Sequence, residues 1–163
     1  MGLDRAYTLW APMYDRVIAS ATRESRRKSL TSLSDIMGKT ILLAGIGTGL
    51  DIPLLPRGAR YVGLDLTPAM LHRARQTAEG VGLAVSLQIG DAMRLPYRDQ
   101  VFDAVILHLI LAVVPDPRAA LAEAARVVKP GGRLLIFDKF LRPGRGAVTP
   151  VGQPAARPRG DES

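Results

Sequence analysis

Thr40-Ile41-Leu42-Leu43-Ala44-Gly45-Ile46-Gly47-Thr48-Gly49 is the stretch on which the fold turns. The run 40–44 shows no polar alternation and is closed by glycine, the pattern of a strand buried on both faces, as in parallel sheets covered by helices. The glycines let the chain turn sharply and bring backbone N–H groups against a ligand with no side chain between. A tight turn with no ligand is the structural alternative. The spacing is G-x-G-x-G and Leu50 follows, so the last glycine of the dinucleotide pattern G-x-G-x-x-G is missing. A nicotinamide-dependent oxidoreductase is disfavoured on this ground. No Gly-Lys-Ser/Thr follows either, which excludes a triphosphate-binding loop; the loop suits a ligand without phosphates.

Working outward, runs of the same kind recur at 60–65, 84–89, 102–108 and 133–137. Helical patterns separate them: 67–79 opens on Thr67-Pro68, a cap followed by proline at the first helical position, and 117–128 ends at Lys129-Pro130-Gly131-Gly132. Strand and helix alternate from 40 to about 140, which predicts an α/β fold, a doubly wound and mostly parallel sheet of about five strands. Residues 5–34 read as a helical cover in two pieces broken near Pro12, so 1–39 covers a core that runs to 140. Asp65 closes the second strand, 20 residues after Gly45, where a doubly wound sheet opens its ligand crevice. A carboxylate there accepts two hydrogen bonds at once and matches the paired hydroxyls of a ribose. Its alternative role is to cap the helix that begins at Thr67. Asp91, in Gly90-Asp91-Ala92-Met93-Arg94-Leu95-Pro96-Tyr97, follows the third strand in the same way, and turns alone explain the pair poorly.

The chain has 163 residues, no cysteine and two histidines, His72 and His108. That composition excludes a disulfide framework and a thiolate metal site, offers no metal-ligand cluster, and fits a reducing, cytoplasmic setting. Met1-Gly2-Leu3-Asp4-Arg5 lacks the apolar core of a signal peptide. The longest apolar stretch, 104–114, falls far short of the ~20 residues of a spanning helix. The net charge is +7, and residues 1–39 carry seven basic and four acidic residues with one tight cluster, Arg26-Arg27-Lys28. No aromatics alternate with these bases, so nucleic acid is not expected as a partner. A solvated helix face is the plain reading of the cluster. A basic helix face carrying Arg23, Arg26, Arg27 and Lys28 also suits a peripheral position on an anionic inner membrane face.

Taken together these segments resemble the class I S-adenosylmethionine-dependent methyltransferases. Asp65-Leu66-Thr67-Pro68-Ala69-Met70-Leu71 is similar to their D-x-S-x-x-M-L segment, and 90–97 to their G-D-A-x-x-L-P-F segment. The resemblance implies S-adenosylmethionine as cofactor. It implies that Gly45, Gly47, Thr48 and Gly49 face its methionine part, that Asp65 takes the ribose, and that Leu66 packs on the adenine. Asp91, Ala92 and Met93 would read the adenine edge. His108 would lie near the sulfonium or the acceptor, as a general base or as a packed side chain with one hydrogen bond. The family usually has Asp or Glu two residues before the first glycine; here that position is Leu43, and Asp51 is either a substitute charge or a helix-start residue. Tyr7-Thr8-Leu9-Trp10-Ala11-Pro12-Met13-Tyr14-Asp15 is similar to the opening of bacterial phosphatidylethanolamine N-methyltransferases and quinone C-methyltransferases. That likeness implies a cofactor contact from Tyr14, an acceptor contact from Tyr7, and a lipid head group or small molecule as methyl acceptor.

One departure concerns the end of the chain. The family's full fold adds two strands after the fifth, as an edge hairpin. Residues 141–163 contain four Pro, four Gly and four Arg and no strand periodicity, so they read as a disordered tail with the hairpin strands absent. The expectation is a truncated product with an open sheet edge, prone to self-association, that keeps a cofactor site with or without turnover.

Overall fold

The computed structural model describes residues 20–138, from the later part of the helical cover to the end of the fifth strand. Helix α1 (20–30) precedes β1 (Thr40–Ala44), β2 (Arg60–Asp65), α2 (Pro68–Val81), β3 (Val85–Ile89), β4 (Phe102–His108), α3 (Pro117–Val127) and β5 (Val128–Phe137). The strands form one sheet in the order β3-β2-β1-β4-β5, and every pairing is parallel. This is the doubly wound sheet that the alternation predicts.

The unalternating apolar strands are explained by burial on both sides. Ile41 and Leu43 of β1, with Ala104 and Ile106 of β4, pack into one cluster with Leu30, Leu33, Leu71, Ala74 and Ala78. Leu42, Ala44, Val105 and Leu107 point the other way, into a cluster with Leu64, Phe102, Ala124 and Val127. Thus α1 and α2 cover one face and α3 the other. Each of these buried Leu, Ile and Val side chains contributes roughly 1.5–3 kcal/mol, which is why 41–44 of β1 and 104–107 of β4 are wholly apolar.

Local chemistry sets the helix ends. Asp116 caps α3 by accepting from the N–H groups of Arg118 and Ala119 at 3.0 and 3.1 Å, with Pro117 at the first turn. Helix α2 stops at Gly82, which takes the left-handed conformation at φ 62°. At the amino end of the sheet, Asp103 accepts from Thr40 N at 2.8 Å and from Lys129 Nζ at 2.9 Å. The Thr40 N–H first, and then Lys129, hold its carboxyl below the usual carboxylate range. Arg133 of β5 donates to Ser32 O and to Ser34 Oγ, fastening the segment after α1 to the sheet.

One boundary differs from the sequence reading. The glycine turn does not precede the fifth strand; it lies within it. Val128 pairs with Phe102 and Arg133 with Ala104, so residues 129–132 bulge out of a strand that has already begun. Gly131, at φ 75°, supplies the conformation the bulge needs. On its other side β5 is the last strand of the described sheet, with Leu134 and Ile136 exposed. The tail and the first nineteen residues lie outside the described residues, and with them Tyr7, Tyr14 and the expected break at Pro12.

Candidate active site

Sheet order reverses between β1 and β4, and a cavity of about 460 Å³ opens there, at the carboxyl ends of the strands. That is within the range of roughly 300–1,000 Å³ typical of small-molecule sites. The glycine loop forms its floor. Gly45, Gly47 and Gly49 have φ of 74°, 56° and 82°, a region that side chains other than glycine adopt at a cost. They do three different things. A Cβ on Gly45 would lie 2.5 Å from the Ile110 side chain, so this glycine admits the segment after β4. A Cβ on Gly49 would lie 2.6 Å from Ile52 Cδ1 and 3.1 Å from Ala74 Cα, so this one lets the loop pack on α2. Around Gly47 there is open space within 4 Å of such a Cβ, and this glycine lines the cavity.

Asp65 organises the loop as well as facing the cavity. Its Oδ2 accepts from Gly47 N and its Oδ1 from Thr67 N, both at 2.9 Å. A carboxylate has about four lone-pair sites, so two backbone donors leave acceptor capacity for a ligand. The two sequence readings of Asp65, helix-start residue and cavity carboxylate, therefore coexist in one side chain. Leu66 lines the cavity and is 66% exposed, an apolar platform held open to solvent. Across the cavity Asp91 Oδ1 accepts from Met93 N at 2.8 Å, and Ala92 and Met93 line the wall beside it. This wall is braced from α3. Arg126 donates to Leu95 O, Tyr97 O, Asp99 and Glu123, and Glu123 accepts from Leu95 N at 2.7 Å. The Arg126 guanidinium holds the Glu123 carboxyl below the usual range.

The remaining end is polar and buried. His108, the last residue of β4, is 8% exposed, with Nδ1 at 3.0 Å from both Asp51 oxygens and Nε2 at 2.9 Å from Ser29 Oγ. A carboxylate only accepts, so Nδ1 carries a proton, and in the neutral ring Nε2 accepts from the Ser29 hydroxyl. Phe137 stands edge-on to the ring, with centroids 5.8 Å apart. Arg26 completes the group: its side chain is 4% exposed, and Nη1 lies 3.4 Å from Asp51 Oδ1. Burial pulls the Arg26 guanidinium below its ordinary pKa, with Asp51 pulling it back. Ser29, His108 and Asp51 stand in the order of a hydroxyl activated for attack. Ser29 does not line the cavity, however, so this hydroxyl anchors the ring.

The structure brings Gly45, Gly47, Thr48, Asp65, Leu66, Asp91, Ala92, Met93 and His108 to one cavity. Gly49 is outside its lining and serves packing. His72 is exposed on α2 and takes no part. The basic cluster splits: Arg23, Arg27 and Lys28 are exposed, Arg27 is paired with Glu24 at 2.8 Å, and Arg26 turns inward. Sequence reasoning missed Arg26 and Ser29. The available signal was helical spacing, since Thr22, Arg26 and Leu30 follow one another at four-residue steps on one face of α1, and all three are buried. Among the described residues no group of acidic, histidine or cysteine side chains is arranged to hold a metal, and no helix is long and apolar enough to cross a membrane.

Comparison with known proteins agrees with this architecture. Residues 42–136 match the family described as methyltransferase domain. The phosphatidylethanolamine N-methyltransferase of Cereibacter sphaeroides is 33% identical over 157 residues, covering 95% of this chain and 76% of that protein. The demethylmenaquinone methyltransferase of Thermus thermophilus is 38% identical over 145 residues, covering 84% of this chain and 65% of its own length. A solved S-adenosylmethionine-dependent methyltransferase from Thermotoga maritima superposes with a TM-score of 0.59 at 27% identity, over 78% of this chain and 57% of that one. The chain belongs to the methyltransferase domain family, and its cofactor is S-adenosylmethionine.

The residues present fit that cofactor. Acceptors with spare capacity stand at Asp65, an exposed apolar platform at Leu66, open space over Gly47, and at Arg26 a buried cation whose Nε has no partner among the described residues.

Proposed function

We propose that this protein transfers a methyl group from S-adenosylmethionine to a lipid head group or a comparable small molecule. The observation that carries the reading is the convergence of Asp65, Asp91 and the open side of the 45–49 loop on one cavity. The cofactor supplies an electrophilic methyl carbon on a sulfonium, and its displacement needs positioning and exclusion of water more than proton transfer. In this reading Asp65 binds the ribose hydroxyls, Leu66 supports the adenine, and Asp91 with the backbone of Ala92 and Met93 reads its edge. Gly47 and Thr48 approach the methionyl part. Correct placement of two reactants is worth up to roughly 7–11 kcal/mol of barrier in the best cases, so the rigid strand ends serve the reaction directly.

His108 is better placed to position than to accept a proton, since both ring nitrogens already have partners. Tyr7 and Tyr14 remain the proposed acceptor and cofactor contacts of the N-terminal segment. The acceptor class is supported by the mouth of the cavity, where Val113 is 72% exposed, and by relatives named for phosphatidylethanolamine and demethylmenaquinone. Peripheral attachment to anionic lipid rests on fewer charges than the sequence suggests, with Arg26 buried and Arg27 paired.

The test is transfer of labelled methyl from S-adenosylmethionine into phosphatidylethanolamine vesicles, into a demethylated quinone, and into free ethanolamine. Label in one of the first two supports the reading. Cofactor binding with no transfer to any of the three contradicts it.

A further inference from the structure

The polar end of the cavity contains a buried donor that has no partner among the described residues. Arg26 lines the cavity, is 3% exposed, and its Nε has no hydrogen-bond partner among the described residues. Its contact with Asp51 is loose: Nη1 to Oδ1 is 3.4 Å, against roughly 2.7–2.9 Å for a strong charge-assisted bond. Burying such a donor unfilled is costly, so a site with this feature suits an incoming anionic oxygen. Asp51 beside it lines the same cavity, with His108 Nδ1 at 3.0 Å from both of its oxygens.

A second observation concerns the opposite charge. Two residues before Gly45, where methyltransferases usually carry an acid, stands Leu43, which is 2% exposed and packs with Ile41 and Ile106. Nothing at that position can receive an ammonium group. Asp51, on the far side of the loop, lines the cavity and its side chain is 13% exposed.

We infer that the Arg26–Asp51 pair receives the amino-acid end of the cofactor, the carboxylate at Arg26 and the ammonium at Asp51, in place of an acid at position 43. The inference rests on the adenosyl reading of the cavity. His108 and Ser29 are positioning residues here: they hold the Asp51 carboxylate at the cavity wall, and Ser29 ties it to the same helix that carries Arg26.

Two nucleosides separate this inference from the reading beneath it. S-adenosylhomocysteine carries both charges; 5′-methylthioadenosine has the same adenosine and neither charge. Calorimetric titration of the full chain is expected to give S-adenosylhomocysteine at least about tenfold the affinity of 5′-methylthioadenosine, the scale of one or two charge-assisted hydrogen bonds. Arg26→Gln is expected to remove that advantage while 5′-methylthioadenosine binds within about twofold of wild type, which also reports a folded adenosine site. Asp51→Asn is read the same way should Arg26→Gln fail to fold. Variants that bind S-adenosylhomocysteine as well as wild type, or that weaken both nucleosides in parallel, overturn the inference and leave the adenosyl reading standing. So does an Arg26→Gln variant that raises only the KM of an anionic acceptor, because the anionic oxygen then belongs to the acceptor. Wild-type protein that binds neither nucleoside overturns both.

Discussion

The two ends of the cavity are built on opposite principles. At the Asp65–Asp91 rim each carboxylate is oriented by backbone N–H groups close in sequence, Thr67 for one and Met93 for the other, with only Gly47 reaching from further away. At the Arg26–Asp51–His108–Ser29 end the partners are 25, 57 and 79 positions apart, and all are side chains. A rim made of short-range contacts forms whenever its strand and turn form. A network of distant side chains forms only when α1, the loop after β1 and the end of β4 are all in place. The first end should therefore fail by losing ligand alone, whereas loss of the His108 anchor at the second should cost structure as well.

The largest expected effect breaks the buried end. His108→Ala removes a buried ring and leaves Asp51 with one loose partner, so a loss of about 3 kcal/mol in denaturant unfolding is expected. Ser29→Ala takes only the hydroxyl and should cost about 1 kcal/mol. Equal effects from the two would contradict the view that Ser29 acts through the ring.

The glycine loop sharpens the same contrast within five residues. Gly49→Ala forces a Cβ toward Ile52 and the Ala74 backbone at a positive φ, and should lower stability by about 1–3 kcal/mol. Gly47→Ala meets open space instead. It bears only the backbone strain, about 1–2 kcal/mol, and its methyl occupies the cavity side, so S-adenosylhomocysteine affinity should fall more than stability does. Thermal melts and titrations on both variants check the order.

The smallest effect lies away from the site, near the start of β2. Tyr61 is buried, its hydroxyl donates to Pro56 O at 2.5 Å, and burial pushes its phenol up to about 12. The protonated form is the one the fold favours. Its contribution is thus complete below the ordinary tyrosine pKa of about 10 and is lost as pH rises through about 12. Urea unfolding at pH 9 and pH 11 should show a drop that Tyr61→Phe reduces, with cofactor affinity at pH 9 unchanged by the substitution.

Legibility in the sequence followed the same division. β1, β2 and β4 begin and end where the sequence places them, because strands buried on both faces are apolar over most of their length. Asp65 and Asp91 were legible for the same reason: one closes β2 and the other stands two residues after β3. Arg26 was hidden by its neighbours, since Arg27 and Lys28 are solvated and composition does not show which of three adjacent bases turns inward. Asp51 was visible as a charge but ambiguous, because its partners come from α1 and β4. The bulge at 129–132 was read as a turn since its glycine chemistry is that of a turn; only strand register shows that β5 has already begun.

Everything proposed for the cavity depends on an adenosyl group being held between Asp65, Asp91 and the open face of the glycine loop. Calorimetric titration with S-adenosylhomocysteine, beside Asp65→Ala and with NAD as the competing nucleotide, addresses it most directly. Saturable one-to-one binding of S-adenosylhomocysteine is predicted, with an affinity loss of about 10- to 100-fold in Asp65→Ala from two lost hydrogen bonds to a charged group, and no comparable binding of NAD. Affinity unchanged by Asp65→Ala, or NAD bound as tightly as S-adenosylhomocysteine, would contradict it.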